Sequence, residues 1–135
     1  MTFHLHEQLA ADTYTVKDLA LCRVLLMNDR RFPWAILVPR RDGLRDFHDV
    51  APADKPAFHA EIDLASDALK RLSSAHKMNV AALGNMVPQL HVHVIARFEG
   101  DAAWPKPVWG QGAALPYETA EAEELIEALR KELRG

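Results

Sequence analysis

Apolar and polar positions along the chain change period several times, and each change marks an element. Thr13 to Lys17, Leu19 to Met27 and Trp34 to Val38 are short apolar runs that predict strands. Asn28-Asp29-Arg30-Arg31 between the last two reads as a turn, which makes them an antiparallel hairpin. Residues 1–12 are a polar lead-in, helical or irregular, and Asp46 to Val50 is a link with at most a brief strand. From Asp54 to about Lys77 the period lengthens. Phe58, Ile62, Ala65, Leu69 and Leu72 recur at steps of three and four, which predicts the main helix with one buried stripe. Met78 to Leu83 is another strand, closed by a Gly84-Asn85 turn, and a further strand runs from Gln89 to about Phe98. Gly100 to Pro116, rich in Pro, Trp and Gly, is expected to be an ordered extended segment whose Trp104 and Trp109 pack on the body or on a second subunit. Thr119 to Leu133 is a closing helix, with Leu125, Ile126, Leu129 and Leu133 inward and its acidic and basic residues at the ends that suit the helix dipole. Strands, helix, strands, helix is the order of an α+β domain: one antiparallel sheet of about five strands, one main helix and a C-terminal helix, in a single domain over residues 1–135.

Within this pattern, Gln89-Leu90-His91-Val92-His93-Val94-Ile95 stands apart. A strand sends alternate side chains to opposite faces, so Leu90, Val92 and Val94 share a core face while Gln89, His91 and His93 form a polar row on the other. Two histidines so spaced allow three readings. They are ligands of one metal, they are structural or surface residues, or one is a nucleophile or base and the other binds an anion beside it. The metal reading needs further ligands, and no Cys or Glu-rich partner stands at typical zinc spacing. Neutral imidazole is nucleophilic, and much of it is neutral near pH 7.

Composition narrows the classes. The 135 residues are enough for a real core without staples, and a net charge of -3 argues against bulk nucleic-acid binding. Cys22, the single cysteine, excludes an internal disulfide framework and reads as a small buried apolar group. No apolar run resembles a secretory signal or reaches membrane-spanning length, so a cytoplasmic protein with no membrane partner is expected. No glycine-rich phosphate loop of the Walker or dinucleotide type is present. Arg30, Arg31, Arg40, Arg41 and Arg45 cluster around the hairpin, either as a solvated rim or as a phosphate-facing patch.

The run Gly84-Asn85-Met86-Val87-Pro88-Gln89-Leu90-His91-Val92-His93-Val94-Ile95-Ala96-Arg97 resembles the signature of the histidine triad (HIT) family: His, apolar, His, apolar, His, then two apolar residues. His91, His93 and the apolar positions match; Gln89 stands where the first histidine would be. The hairpin ending Leu26-Met27-Asn28, the helix and the Asn79 to Gly84 strand fall in family order. The resemblance implies a HIT-like fold in which His91 attacks the α-phosphorus of a nucleotide conjugate, such as a dinucleoside polyphosphate or nucleoside phosphoramidate, to form a nucleotidyl-histidine. It implies that His93 donates to the phosphate, Asn85 lies in the loop that contacts phosphate, Asn28 binds the ribose, and Leu26 and Met27 wall the base. Gln89 cannot titrate, so an orienting role survives there and a proton-transfer role does not. The turn after Asn28 is shorter than in the best-known branches, and Pro33-Trp34 stands where they carry Pro-Gly-His. The family needs no metal for the chemical step, although some members respond to divalent cations, and its members are typically homodimers that join sheets across a two-fold axis. The alternative that Gln89 raises is a nucleotide-binding regulatory module with little or no catalysis.

Overall fold

The apolar runs pair into one sheet. In this computed structural model, which describes residues 3–134, the elements are α1 (Glu7–Asp12), β1 (Thr13–Asp18), β2 (Cys22–Met27), β3 (Trp34–Pro39), α2 (Lys55–Ser73), β4 (Lys77–Ala81), β5 (Val92–Arg97) and α3 (Thr119–Glu132). The strands form a five-stranded sheet in the order β1-β2-β3-β5-β4, every pair antiparallel. This is the α+β architecture expected from the order of periods.

Both faces of the sheet are covered, which is why the central strands β3 and β5 are buried at every position. Val24, Leu26, Ala35, Leu37, Val92 and Val94 pack beneath α2 and α3, against Ala65, Leu69, Ile126 and Leu129. Leu25, Trp34, Ile36, Val38 and Ile95 point the other way, into a second cluster closed by Leu9, Phe32, Val87, Ala103 and Val108.

Several expected boundaries move. Leu19 to Leu21 belongs to the turn before β2, where the buried Glu61 carboxylate accepts the N–H groups of Leu21 (2.9 Å) and Cys22 (2.7 Å). That contact puts Glu61 into the inward stripe of α2, while Leu72, expected inward, is 36% exposed. Phe47–Asp49 is a 3-10 turn, not a strand, and α2 stops at Ser73 because Ser74 adopts a left-handed conformation that satisfies the helix end. Cys22 is buried, and burial together with Glu61 pushes its thiol pKa up, as suits a packing role.

The segment after β5 is held by a polar knot. Arg97 is 1% exposed and pairs with Asp101 (2.8 Å), Asn79 Oδ1 (2.8 Å) and the Lys106 carbonyl (2.7 Å). Burial alone would raise the Asp101 carboxyl pKa. Hydrogen bonds from Arg97 and from the N–H groups of Phe98, Ala103 and Trp104 outweigh it and hold the value well below the usual range. No helix among the described residues is long and apolar enough to cross a membrane.

Candidate active site

β5 brings His91 and His93 onto the face away from α2, as the alternation predicts, with Leu90, Val92 and Val94 in the opposite core. The strand proper begins at Val92, yet the alternation extends back through Gln89. The imidazoles stand 4.9 Å apart between ring centroids, at 71° to one another, and both are more than nine-tenths buried.

Each ring has one nitrogen committed. His91 Nδ1 lies 2.8 Å from the Gln89 backbone carbonyl. A carbonyl can only accept, so the proton sits on Nδ1 and the Nε2 lone pair is left free. His93 has the reverse arrangement. The Trp34 indole N–H donates to His93 Nδ1 at 3.0 Å, and an indole can only donate, so the neutral ring carries its proton on Nε2. Protonating Nδ1 would set two N–H groups against each other. Burial, and after it the charge of His91, pull the His93 pKa down from 6.5 to about 4, so the ring is neutral at pH 7. The site therefore pairs a lone-pair donor with a neutral hydrogen-bond donor.

Trp34 was legible in the sequence as a strand residue, not as a partner of His93. The register explains the contact: Trp34 stands opposite Ile95, so His93 is its diagonal neighbour, within reach of a large aromatic side chain. Trp109 closes the same corner, edge-on to Trp34 (6.3 Å) and to His93 (5.1 Å). Trp104 packs against His76 and the Arg97 guanidinium instead. The two tryptophans expected to pack on the body both do so, one of them against a site histidine.

Gln89 faces the N-terminal segment. Its Oε1 accepts the His6 N–H at 2.8 Å and its Nε2 donates to the His4 carbonyl at 2.9 Å. Both ends of the amide are engaged there, and Gln89 touches His91 through its main-chain carbonyl. The lead-in expected to be helical or irregular is helical over Glu7–Asp12, and ahead of that helix it forms a strap laid against the site.

Other residues singled out in the sequence are placed less uniformly. Met27 packs into the cluster on the histidine face. Leu26 is fully buried in the opposite core beneath the helices, so it cannot wall a pocket on the histidine side; strand alternation puts Leu25 and Met27 there instead. Asn28 Oδ1 accepts the Tyr117 N–H at 2.8 Å, which commits half of its amide to the segment entering α3. Asn85 is exposed beside Gly84, whose positive φ (70°) makes the turn, and Gly84 lines a small cleft together with His91. As for a metal, one cluster of three ligand-type side chains occurs among the described residues, Asp46, His48 and Asp49, all exposed and without His91 or His93.

Comparison with known proteins bears on the family and the fold. Residues 8–100 match the family model described as the HIT domain. The structure is similar to that of a histidine triad protein from Bradyrhizobium japonicum, with a TM-score of 0.96 and 44% identity over 98% of this chain and 99% of that one. A histidine triad (HIT) protein from Sinorhizobium meliloti 1021 matches at 0.95 and 44% identity, covering 97% of each chain. One from Marinobacter aquaeolei VT8 matches at 0.95 and 45% identity, over 98% of this chain and 97% of that one. No curated protein matches the sequence. Fold, paired histidines and family model agree: this chain belongs to the HIT domain family.

Proposed function

We propose that the protein is a nucleotide hydrolase or nucleotidyl transferase that acts at the α-phosphate of a nucleotide conjugate through a covalent intermediate on His91. The observation that carries this is the opposed tautomers of His91 and His93. His91 Nε2 presents a lone pair because Nδ1–H is held by the Gln89 carbonyl, and this directs the ring for in-line attack. The N–P bond forms as the bond from phosphorus to the bridging atom of the leaving group breaks, and the leaving group departs with that electron pair, a polyphosphate as its anion and an amine after taking a proton from water. His93, held by Trp34, offers Nε2–H to a nonbridging phosphoryl oxygen without adding a charge that would oppose protonation events nearby. In the second half, the oxygen of water or another acceptor bonds to phosphorus, its proton passes to bulk water, and the electron pair of the broken N–P bond returns to Nε2.

In this reading Gln89 occupies the first triad position as an anchor: its amide fixes the strap and its carbonyl fixes His91. Met27 and Leu25 lie on the side where the base would rest, Asn28 retains an amide N–H₂ for the ribose, and Asn85 sits where the turn could meet phosphate. No resident metal enters these steps; a divalent cation would arrive with the phosphates of the substrate. The second reading, a binding module without turnover, is favoured only by Gln89 itself.

The protein is proposed to act as a homodimer. The outer edge of β4 is unpaired, Val80 on it is 44% exposed, and an apolar groove of about 630 Å³ beside it is lined by Phe47, Phe58, Ile62 and Val80.

His91→Asn tests the reaction. It should abolish turnover of dinucleoside polyphosphates and nucleoside phosphoramidates while nucleoside monophosphate binding, read by calorimetry, stays within about threefold. Binding without turnover in the wild type would favour the module.

A further inference from the structure

The arginine cluster around the hairpin is the feature that the reaction above does not use. Its members have different fates. Arg31 is engaged by Asp29 and the Gln111 carbonyl, Arg40 by the Leu19 and Ala20 carbonyls, and Arg41 by Asp54. Arg30 and Arg45 differ: their backbone N–H groups reach the Leu115 carbonyl and the Asp49 carboxylate, but neither guanidinium has a hydrogen bond or ion pair among the described residues.

Arg45 is also placed beside the histidines. The Leu90 N–H donates to the Leu44 carbonyl at 2.9 Å, so the loop that carries Arg45 runs alongside residues 89–91. Arg45 lines the small cleft that contains Gly84 and His91, and also a larger cleft of about 400 Å³ whose other walls include His4, His6, Pro88 and Gln89. It is the residue common to both.

The strap supplies the remaining chemistry. Gln89 ties residues 4 and 6 to the site through both ends of its amide. His6 Nδ1 accepts the Gln8 N–H at 3.0 Å, so its neutral ring carries the proton on Nε2 and can donate. No acidic residue lines the larger cleft. Asp46 is on the wall of the smaller one, and the neighbouring Asp49 carboxylate is occupied by the N–H groups of Arg45 and Asp46. A cleft with a free guanidinium, two imidazoles and no carboxylate suits an anion.

We infer that Arg45 and the Gln89-held strap form a second anion subsite next to His91, which takes the phosphate chain of an anionic leaving group. This rests on the proposed attack by His91. As the bond between the α-phosphorus and the bridging oxygen breaks, that oxygen leaves with the electron pair on a phosphate chain, whose growing charge the Arg45 guanidinium and His6 Nε2–H would offset. The subsite makes Arg45 a determinant of leaving-group preference, favouring polyphosphate conjugates over phosphoramidates.

The test compares a dinucleoside tetraphosphate with a nucleoside phosphoramidate of the same base, which share the group transferred and differ in the charge of the group expelled. In Arg45→Gln the ratio of kcat/KM for the tetraphosphate to that for the phosphoramidate should fall roughly tenfold, the size of one charge-assisted contact. Arg45→Lys should recover most of it. A ratio within about twofold of wild type in Arg45→Gln would overturn the inference while leaving the His91 reaction standing. If wild type turns over neither compound, the reaction fails instead, and the subsite is then judged by calorimetric titration with tripolyphosphate. Arg45→Gln should weaken that binding roughly tenfold, and equal binding would overturn the subsite.

Discussion

Two hydrogen bonds at single atoms define the site. Trp34 determines which nitrogen of His93 carries the proton, and the Gln89 carbonyl does so for His91. Trp34→Phe keeps most of the packing and removes the donor, which leaves His93 Nδ1 buried and unpaired at a cost of about 1–3 kcal/mol. The neutral ring loses its support, so the His93 pKa should rise from about 4, and the Nδ1–H tautomer should become populated. Nitrogen-15 NMR of the imidazole reads both, and turnover should fall roughly tenfold. An unchanged tautomer and pKa would mean that burial and the charge of His91 set His93 without Trp34.

The same depressed pKa has a consequence for stability. The folded value of about 4 lies below the ordinary 6.5, so the unfolded chain binds more protons between the two. Stability attributable to His93 is therefore complete above pH 6.5 and is lost as the pH falls toward 4. Urea midpoints at pH 7 and pH 5 should differ less in His93→Gln than in wild type; an equal difference would assign the slope to other groups. Gln89→His is a complementary case. Because the Gln89 side chain faces the strap and not His91, the substitution should leave the pH profile of turnover where it is while the strap becomes more open to proteolysis. A raised turnover with a shifted profile would instead give position 89 a proton-transfer role.

At the scale of elements, β5 and the segment after it form one unit. Arg97, at the end of β5, is locked to Asp101, and from there the chain carries Trp109 back against His93. Asp101→Asn strands a buried guanidinium and should cost about 3–5 kcal/mol in chemical denaturation, with turnover reduced in the remaining folded fraction. A change below about 1 kcal/mol would show that the knot is incidental. The elements themselves were largely legible in the sequence because period tracks backbone geometry: alternation exposed the polar row, and steps of three and four exposed α2. What was not legible depends on contacts distant in the chain. Glu61 lies outside the apolar stripe that marks α2 in the sequence, and the distant Leu21 and Cys22 N–H groups account for its burial. Leu26 reads as a pocket wall until register assigns it to the far face, and the strap reads as a polar lead-in until its backbone meets Gln89, 83 residues away from His6.

For the whole molecule, the unpaired β4 edge carries an exposed Val80 and has an apolar groove beside it. Val80→Lys places a charge on that edge and should convert the proposed dimer to a monomer near the 15.1 kDa chain mass in sedimentation velocity. Wild type sedimenting as a monomer at tens of micromolar would contradict the dimer; dimeric Val80→Lys would move the interface elsewhere.

The central claim is that His91 Nε2 becomes bonded to phosphorus. It is tested most directly by quenching a reaction with a dinucleoside polyphosphate at early times and mapping the trapped adduct by mass spectrometry. The expected result is an acid-labile nucleoside monophosphoryl group on the peptide containing His91, absent in His91→Asn. An adduct on another residue, or full turnover by His91→Asn, would contradict it.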